Sequence, residues 1–128
     1  AMIEEHPLLG VGWGNYWLAY PEYNFFIEDA DVVIFHAHDM YIHIPAEVGI
    51  PGGILYFLFF FGQGVMSWRI WRRGKGTMKL FGLSGMLLVL SAAIDGIGDY
   101  ALFSCPVSCC FWALSALCVS EERRGAAG

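Results

Sequence analysis

His38-Asp39 stands ahead of Gly49-Ile50-Pro51-Gly52-Gly53 with nine residues between them, and a strongly apolar run begins at that turn. An imidazole accepts or donates a proton near neutral pH. The spacing places this one on a short helix just outside a membrane, behind a Gly/Pro turn that feeds a spanning segment. Chemistry on a lipid-linked substrate needs a group at that depth. The plainer reading is a surface histidine of no special role. A second chemistry lies in the same stretch, because His36, His38, Asp39 and His43 are donors of the types that hold zinc. In an extended segment, however, His36 and His38 point to opposite sides and His43 faces elsewhere, so no bound metal is expected. Asp95 and Asp99 are four apart, on one helical face near a membrane boundary, where ionisable groups turn toward the protein interior or a cavity. The plainer reading of Asp99 is an interfacial residue that caps a helix end. Cys105, Cys109, Cys110 and Cys118 fall in one apolar segment and read as small packing residues rather than a redox pair.

The elements that must position these groups follow from composition. The chain is 57% hydrophobic and only 15% charged, with a mean hydropathy of +0.54. A soluble domain carries about a quarter charged residues. The apolar content is clustered, which favours an all-α integral membrane class. Three spans are read, at about residues 52–71, 80–101 and 104–120. The first, twenty residues long, rises roughly 30 Å as a helix, enough to cross the hydrocarbon core. Gln63 is its one strongly polar residue before Arg69. The third is short for a full span; Pro106 suits its first turn, with Ser104 as the cap. The aromatic run Tyr56 to Phe61 faces lipid or packs against another helix.

Charge fixes the orientation. Arg69, Arg72, Arg73, Lys75 and Lys79 lie between the first two spans, and Arg123 and Arg124 follow the third. Residues 1–49 hold no Lys or Arg, eight Asp or Glu, and all four His. By the positive-inside rule the 72–79 loop and the C-terminus are cytoplasmic, and residues 1–51 form a loop on the outer face, the periplasm of a Gram-negative cell. The net charge of −5 argues against nucleic-acid binding. No basic n-region followed by an apolar run marks a signal peptide, and the expectation is a C-terminal portion of a larger polytopic protein.

The 1–51 loop has structure of its own. Gly10, Gly12 and Gly14 alternate within His6-Pro7-Leu8-Leu9-Gly10-Val11-Gly12-Trp13-Gly14-Asn15-Tyr16, which suits a tight backbone path near another surface. No strand precedes the run and no Lys follows it, so a phosphate-cradling reading is weak. Trp13, Tyr16, Trp17, Tyr20 and Tyr23 recur at helical spacing, as in an interfacial helix with an aromatic face that Pro21 ends or bends. Glu28-Asp29-Ala30-Asp31 reads as a solvated loop. Asp39 is a natural N-cap for a helix over Met40 to Val48, with Tyr41, Ile44 and Val48 on one face. Pro45 is expected to break that helix near Ile44.

At these residues the chain resembles the O-antigen ligase family of bacterial envelope enzymes, which takes in O-antigen polymerases and protein O-oligosaccharyltransferases. The family pattern is His, then Asn, Ser or Gln, nine residues, and Gly-x-x-Gly followed by a small residue or Tyr. His38, Asp39 and Gly49-Ile50-Pro51-Gly52-Gly53 fit that spacing. The upstream HPLLGVGWGNY is similar to the family's P-L-x-G-x-G segment, and Asp95 to Tyr100 resembles its short D-Y element. The resemblance implies a membrane-embedded glycosyltransferase fold of the C type. It implies transfer of a glycan from undecaprenyl diphosphate to an acceptor hydroxyl on lipid A core, a growing glycan or a protein, without metal or other cofactor, in the inner membrane. His38 is then catalytic, as base for the acceptor hydroxyl or as a partner of the diphosphate. Asp39, Glu47, Gly49, Gly52, Gly53 and Asp99 bind substrate or structure the site. Two departures stand out. Asp39 replaces an amide or hydroxyl, and beside His38 it would raise the imidazole pKa by charge pairing. The family's diphosphate-holding arginines have no counterpart before Arg69, so this chain alone is expected to be inactive. A non-catalytic membrane segment, or a subunit completing a site with another chain, is the alternative; a histidine-based metal protein is a weaker one.

Overall fold

The computed structural model describes residues 1–24 and 33–127, and among these every regular element is helical. They are α1 (Met2–Glu5), α2 (Tyr16–Tyr23), α3 (Met40–Arg73), α4 (Thr77–Asp95) and α5 (Cys105–Ala127), with a 3-10 turn at Ala101–Phe103. The acidic stretch Glu28 to Asp31 lies outside the described residues. α3 and α4 are each long and apolar enough to cross a membrane, and Cys105–Ser120 is a shorter apolar helix. The chain is therefore an all-α protein of membrane type. It divides into two compact units, Ala1–Tyr56 with Gly96–Tyr100, and Phe57–Asp95 with Ala101–Gly128.

The first unit is organised around the start of α3. A helix begins with four N–H groups that have no partner inside it. Here Met40 N–H donates to the Gly96 carbonyl at 2.8 Å, Tyr41 and Ile42 N–H donate to Asp39 Oδ1 at 2.8 and 3.1 Å, and His43 N–H donates to the Asp39 carbonyl at 2.9 Å. Asp39 is thus the cap that its side chain suits. Met40 and Ile44 are fully buried behind it, and Ala46 is nearly so.

The break in α3 is not at Pro45. That proline lies inside the helix, and the non-helical backbone is at Gly49, with φ 74° and ψ 171°. Proline removes one intrahelical donor, a local loss that the fixed helix start and the burial of Met40, Ile44 and Ala46 outweigh. Gly49 occupies a region open essentially to glycine alone. Its conformation diverts the helix ladder there. Ile50 N–H donates to the Pro7 carbonyl at 2.8 Å, and Pro51 has no N–H to offer. The carbonyls of Ala46 and Glu47, which those two positions would have served, accept Val11 N–H and Gly12 N–H instead, both at 2.9 Å. The glycine-rich segment therefore seals the broken helix, backbone to backbone. The approach is so close that a Cβ on Gly10, at φ 66°, would overlap the Glu47 carbonyl, and one on Gly49 would overlap Leu8. Pro51 falls in the first turn of the continuing helix, where a missing N–H costs least.

α2 carries Pro21 inside it rather than ending there. Its aromatic residues do not share one face. Tyr16 is buried, stacks on Tyr20 at 5.5 Å between ring centroids, and packs with Met2 and Ala46, whereas Trp17 is exposed, as is Trp13 ahead of the helix. The pull of the unit's core on Tyr16 splits the row.

In the second unit, a Cβ on Gly82 of α4 would overlap the Trp71 backbone, and one on Gly85 would overlap the Ser67 side chain, so these helices meet closely at small residues, as membrane helices do. Phe60 is fully buried and stacks on Phe111 of α5 at 5.4 Å, while Phe59, Leu58, Leu87 and Ile94 face outward. The second helix starts before residue 80 and stops at Asp95, short of 101, because Gly96 and Gly98 follow and Asp95 Oδ2 takes the Ala101 N–H at 3.2 Å. Cys118 is buried, but Cys105, Cys109 and Cys110 are exposed and so are not the packing residues their apolar segment suggested.

Candidate functional site

His38 ends the segment that leads into α3 with a left-handed backbone, φ 37°. Polar and ring-bearing residues tolerate that region better than β-branched ones. The turn folds the chain back on itself. His38 N–H donates to His36 Nδ1 at 3.3 Å, and Ala37 N–H donates to His43 Nδ1 at 3.4 Å. Strand alternation therefore does not apply, and the expectation that His36 and His38 point apart is overturned. Their rings meet edge to face at 4.4 Å, and His43 lies 6.5 Å from His36.

The carboxylate beside His38 is Asp99, not Asp39. His38 Nδ1 is 3.3 Å from Asp99 Oδ1, and His36 Nδ1 is 4.0 Å from the same oxygen. Asp39 has turned its side chain to the helix N–H groups. Asp99 is not on a helical face with Asp95, since α4 ends at Asp95 and Asp99 stands in the turn beyond it. The Tyr100 N–H, donating to Asp99 Oδ1 at 2.7 Å, and the nearby His38 hold the Asp99 carboxyl below the ordinary carboxylate range. His38 and Asp99 are open to solvent, at 69% and 58% side-chain exposure, whereas His36 is at 20%. Burial, with the neighbouring imidazole of His38 and a smaller push from His43, keeps His36 below its usual pKa despite Asp99.

Behind this open pair is a closed one. His43 and Glu47 are one helical turn apart on α3 and both buried. His43 Nδ1 accepts a backbone N–H, and the other ring nitrogen, Nε2, faces Glu47 Oε2 at 3.6 Å. Glu47 Oε1 accepts Tyr16 N–H at 3.2 Å, and the carboxylate also takes Gly14 N–H. Burial pushes the Glu47 pKa up, but the His43 and backbone donors outweigh it and hold the group below the ordinary value. Tyr16 and Tyr100 flank the His43 ring at 4.9 and 5.2 Å. Glu47 thus ties the glycine-rich segment and α2 to the helix that carries His38. Gly52 and Gly53 follow the break, where a Cβ would press on Val48 and Pro45.

Sequence reasoning named His38, Glu47 and Asp99 without the contacts that join them. The His43–Glu47 pair was legible as i,i+4 spacing on one helix. The His36–His38 contact was not, because it depends on a single positive φ.

Residues 1–57 match the family model described as O-antigen ligase, a match consistent with a C-terminal portion of a protein of that family. The stretch holds the glycine-rich segment, His38, and the Gly49–Gly53 turn. The match supports an O-antigen ligase- or polymerase-like function, with a lipid-linked glycan and an acceptor as partners in general. No curated protein and no solved structure matches the chain.

Proposed function

We propose that the chain takes part in moving a glycan from an undecaprenyl-diphosphate carrier to an acceptor hydroxyl, at the outer face of the bacterial inner membrane, with residues 1–51 in the periplasm. In this reading His38 takes the proton of the acceptor hydroxyl as its oxygen bonds to the anomeric carbon, while the glycosyl–diphosphate bond breaks and the diphosphate leaves on its carrier. The observation that carries the reading is the exposed His38 ring, with one nitrogen 3.3 Å from Asp99, just ahead of a helix whose break at Gly49 is sealed by the glycine-rich segment. Asp99 is a positioning residue for His38, and Asp39, Glu47, Gly49, Gly52 and Gly53 shape the turn. The distribution of Lys and Arg supports the orientation.

Positive charge for the leaving diphosphate is also required. No Lys or Arg precedes Arg69, so the reading needs cationic groups from outside these 128 residues. The same observation favours a second reading, a membrane subunit that completes a site with another chain.

The test is His38→Ala in the protein as the cell expresses it. Glycan transfer to the acceptor is expected to fall by about 100-fold or more, with membrane insertion unchanged. Lipopolysaccharide capped as in the wild type would refute the assignment. Complementation of ligase-null and polymerase-null strains separates the acceptors.

A further inference from the structure

We infer that His36, His38 and Asp99 form a binding site for one divalent transition-metal ion of the zinc type. Each residue offers one ligand atom, and the three atoms lie within 4.8 Å of one another. Ligands about 2.0–2.1 Å from a tetrahedral zinc stand roughly 3.3 Å apart. One pair, His38 Nδ1 and Asp99 Oδ1, already has a separation of 3.3 Å, and a second, His36 Nδ1 and Asp99 Oδ1, is at 4.0 Å. Closing the set asks for a contraction of at most about 1.5 Å. The two side chains that must move, His38 and Asp99, are the exposed ones, while the less exposed His36 anchors the set.

The donor chemistry selects the ion. Two imidazoles with one carboxylate suit zinc and its neighbours, whereas magnesium and calcium take oxygen ligands. Three protein ligands leave a fourth position to water, on the open side. Asp99 Oδ1 is oriented by the Tyr100 N–H at 2.7 Å, the kind of outer contact that fixes a metal-binding carboxylate. The His38 N–H to His36 Nδ1 bond is long at 3.3 Å and is exchanged for the metal bond. Neither Asp39 nor His43 takes part, since the first caps α3 and the second faces Glu47. Resting on the proposed function, an ion on His38 Nδ1 would take the place of its contact with Asp99 and leave the ring's own proton on Nε2, the nitrogen that must accept the proton of the acceptor hydroxyl, so zinc at the outer face would inhibit the reaction.

The test uses the protein purified in detergent through a tag free of histidine, stripped with a chelator and titrated with zinc by calorimetry, and with cobalt by its visible absorption. Saturable binding of one ion per chain, with a tetrahedral cobalt spectrum, is expected. Asp99→Asn and His36→Ala are each expected to weaken binding by about tenfold or more, and His6→Ala to leave it unchanged. Helicity by circular dichroism shows which variants are folded, and Asp99→Asn, at an exposed position, decides the matter if His36→Ala is not. Absence of saturable binding by the wild type, or equal affinity in folded Asp99→Asn, overturns the site. Binding without inhibition of transfer leaves the site standing and counts against His38 as proton acceptor.

Discussion

Glu47→Ala removes the carboxylate on which the first unit is tied together. Two backbone donors, Tyr16 N–H and Gly14 N–H, lose a charged acceptor in a buried place, and His43 loses its neighbour. Hydrogen bonds to charged groups contribute about 1.5–3 kcal/mol each, so the loss of two is about 3–6 kcal/mol. That is a large share of the ~5–15 kcal/mol that holds a typical domain. Glu47→Gln keeps one carbonyl oxygen and is expected to cost about half as much. The assay is denaturant unfolding in detergent, followed by tryptophan emission. The two variants also differ in acid. Because the folded Glu47 pKa lies below its ordinary value, its contribution is complete above the unfolded carboxylate pKa of about 4.3 and is lost as pH falls through the folded one. Glu47→Gln is expected to lack that acid-sensitive share. A Glu47→Ala protein within about 1 kcal/mol of the wild type would refute the tie, since two unpaired buried donors cost more than that.

Two further perturbations separate backbone shape from side-chain capping. Gly49→Ala forces a Cβ into a glycine-only region and against Leu8; a cost of about 1–3 kcal/mol from backbone strain, increased by the overlap, should appear as faster proteolysis between residues 7 and 12. Asp39→Ala is expected to cost about 1 kcal/mol in unfolding experiments through loss of the α3 cap, while Asp39→Asn, whose side-chain oxygen accepts the same N–H groups, should match the wild type.

The readings that held depend on local chemistry. Asp39 caps α3 because a short acceptor before an apolar helical pattern has few other uses, and α3 and α4 are long and apolar because their runs are continuous. What failed was decided by packing. Pro45 and Pro21 look like helix stops, yet both are carried inside helices held by buried neighbours. The row from Trp13 to Tyr23 has helical period, but the period does not say which rings the core will take. Asp99 was expected on a helical face with Asp95, and two glycines moved it into a turn. Its contact with His38 spans 61 residues and leaves no local trace. The family match reaches residue 57, so it too is silent on Asp99.

The seal between residues 7–12 and the break at Gly49 consists of peptide groups. It is therefore indifferent to most exchanges of side chain along either segment, the glycines at the crossing apart. It is not indifferent to length. Pro7 and Val11 engage Ile50 and Ala46 in antiparallel order, four positions apart on each side. A single residue inserted or deleted between Pro7 and Val11 would leave one end of the match out of step, and with it the break at Gly49. Drift in this region is thus free in composition and closed to insertions and deletions.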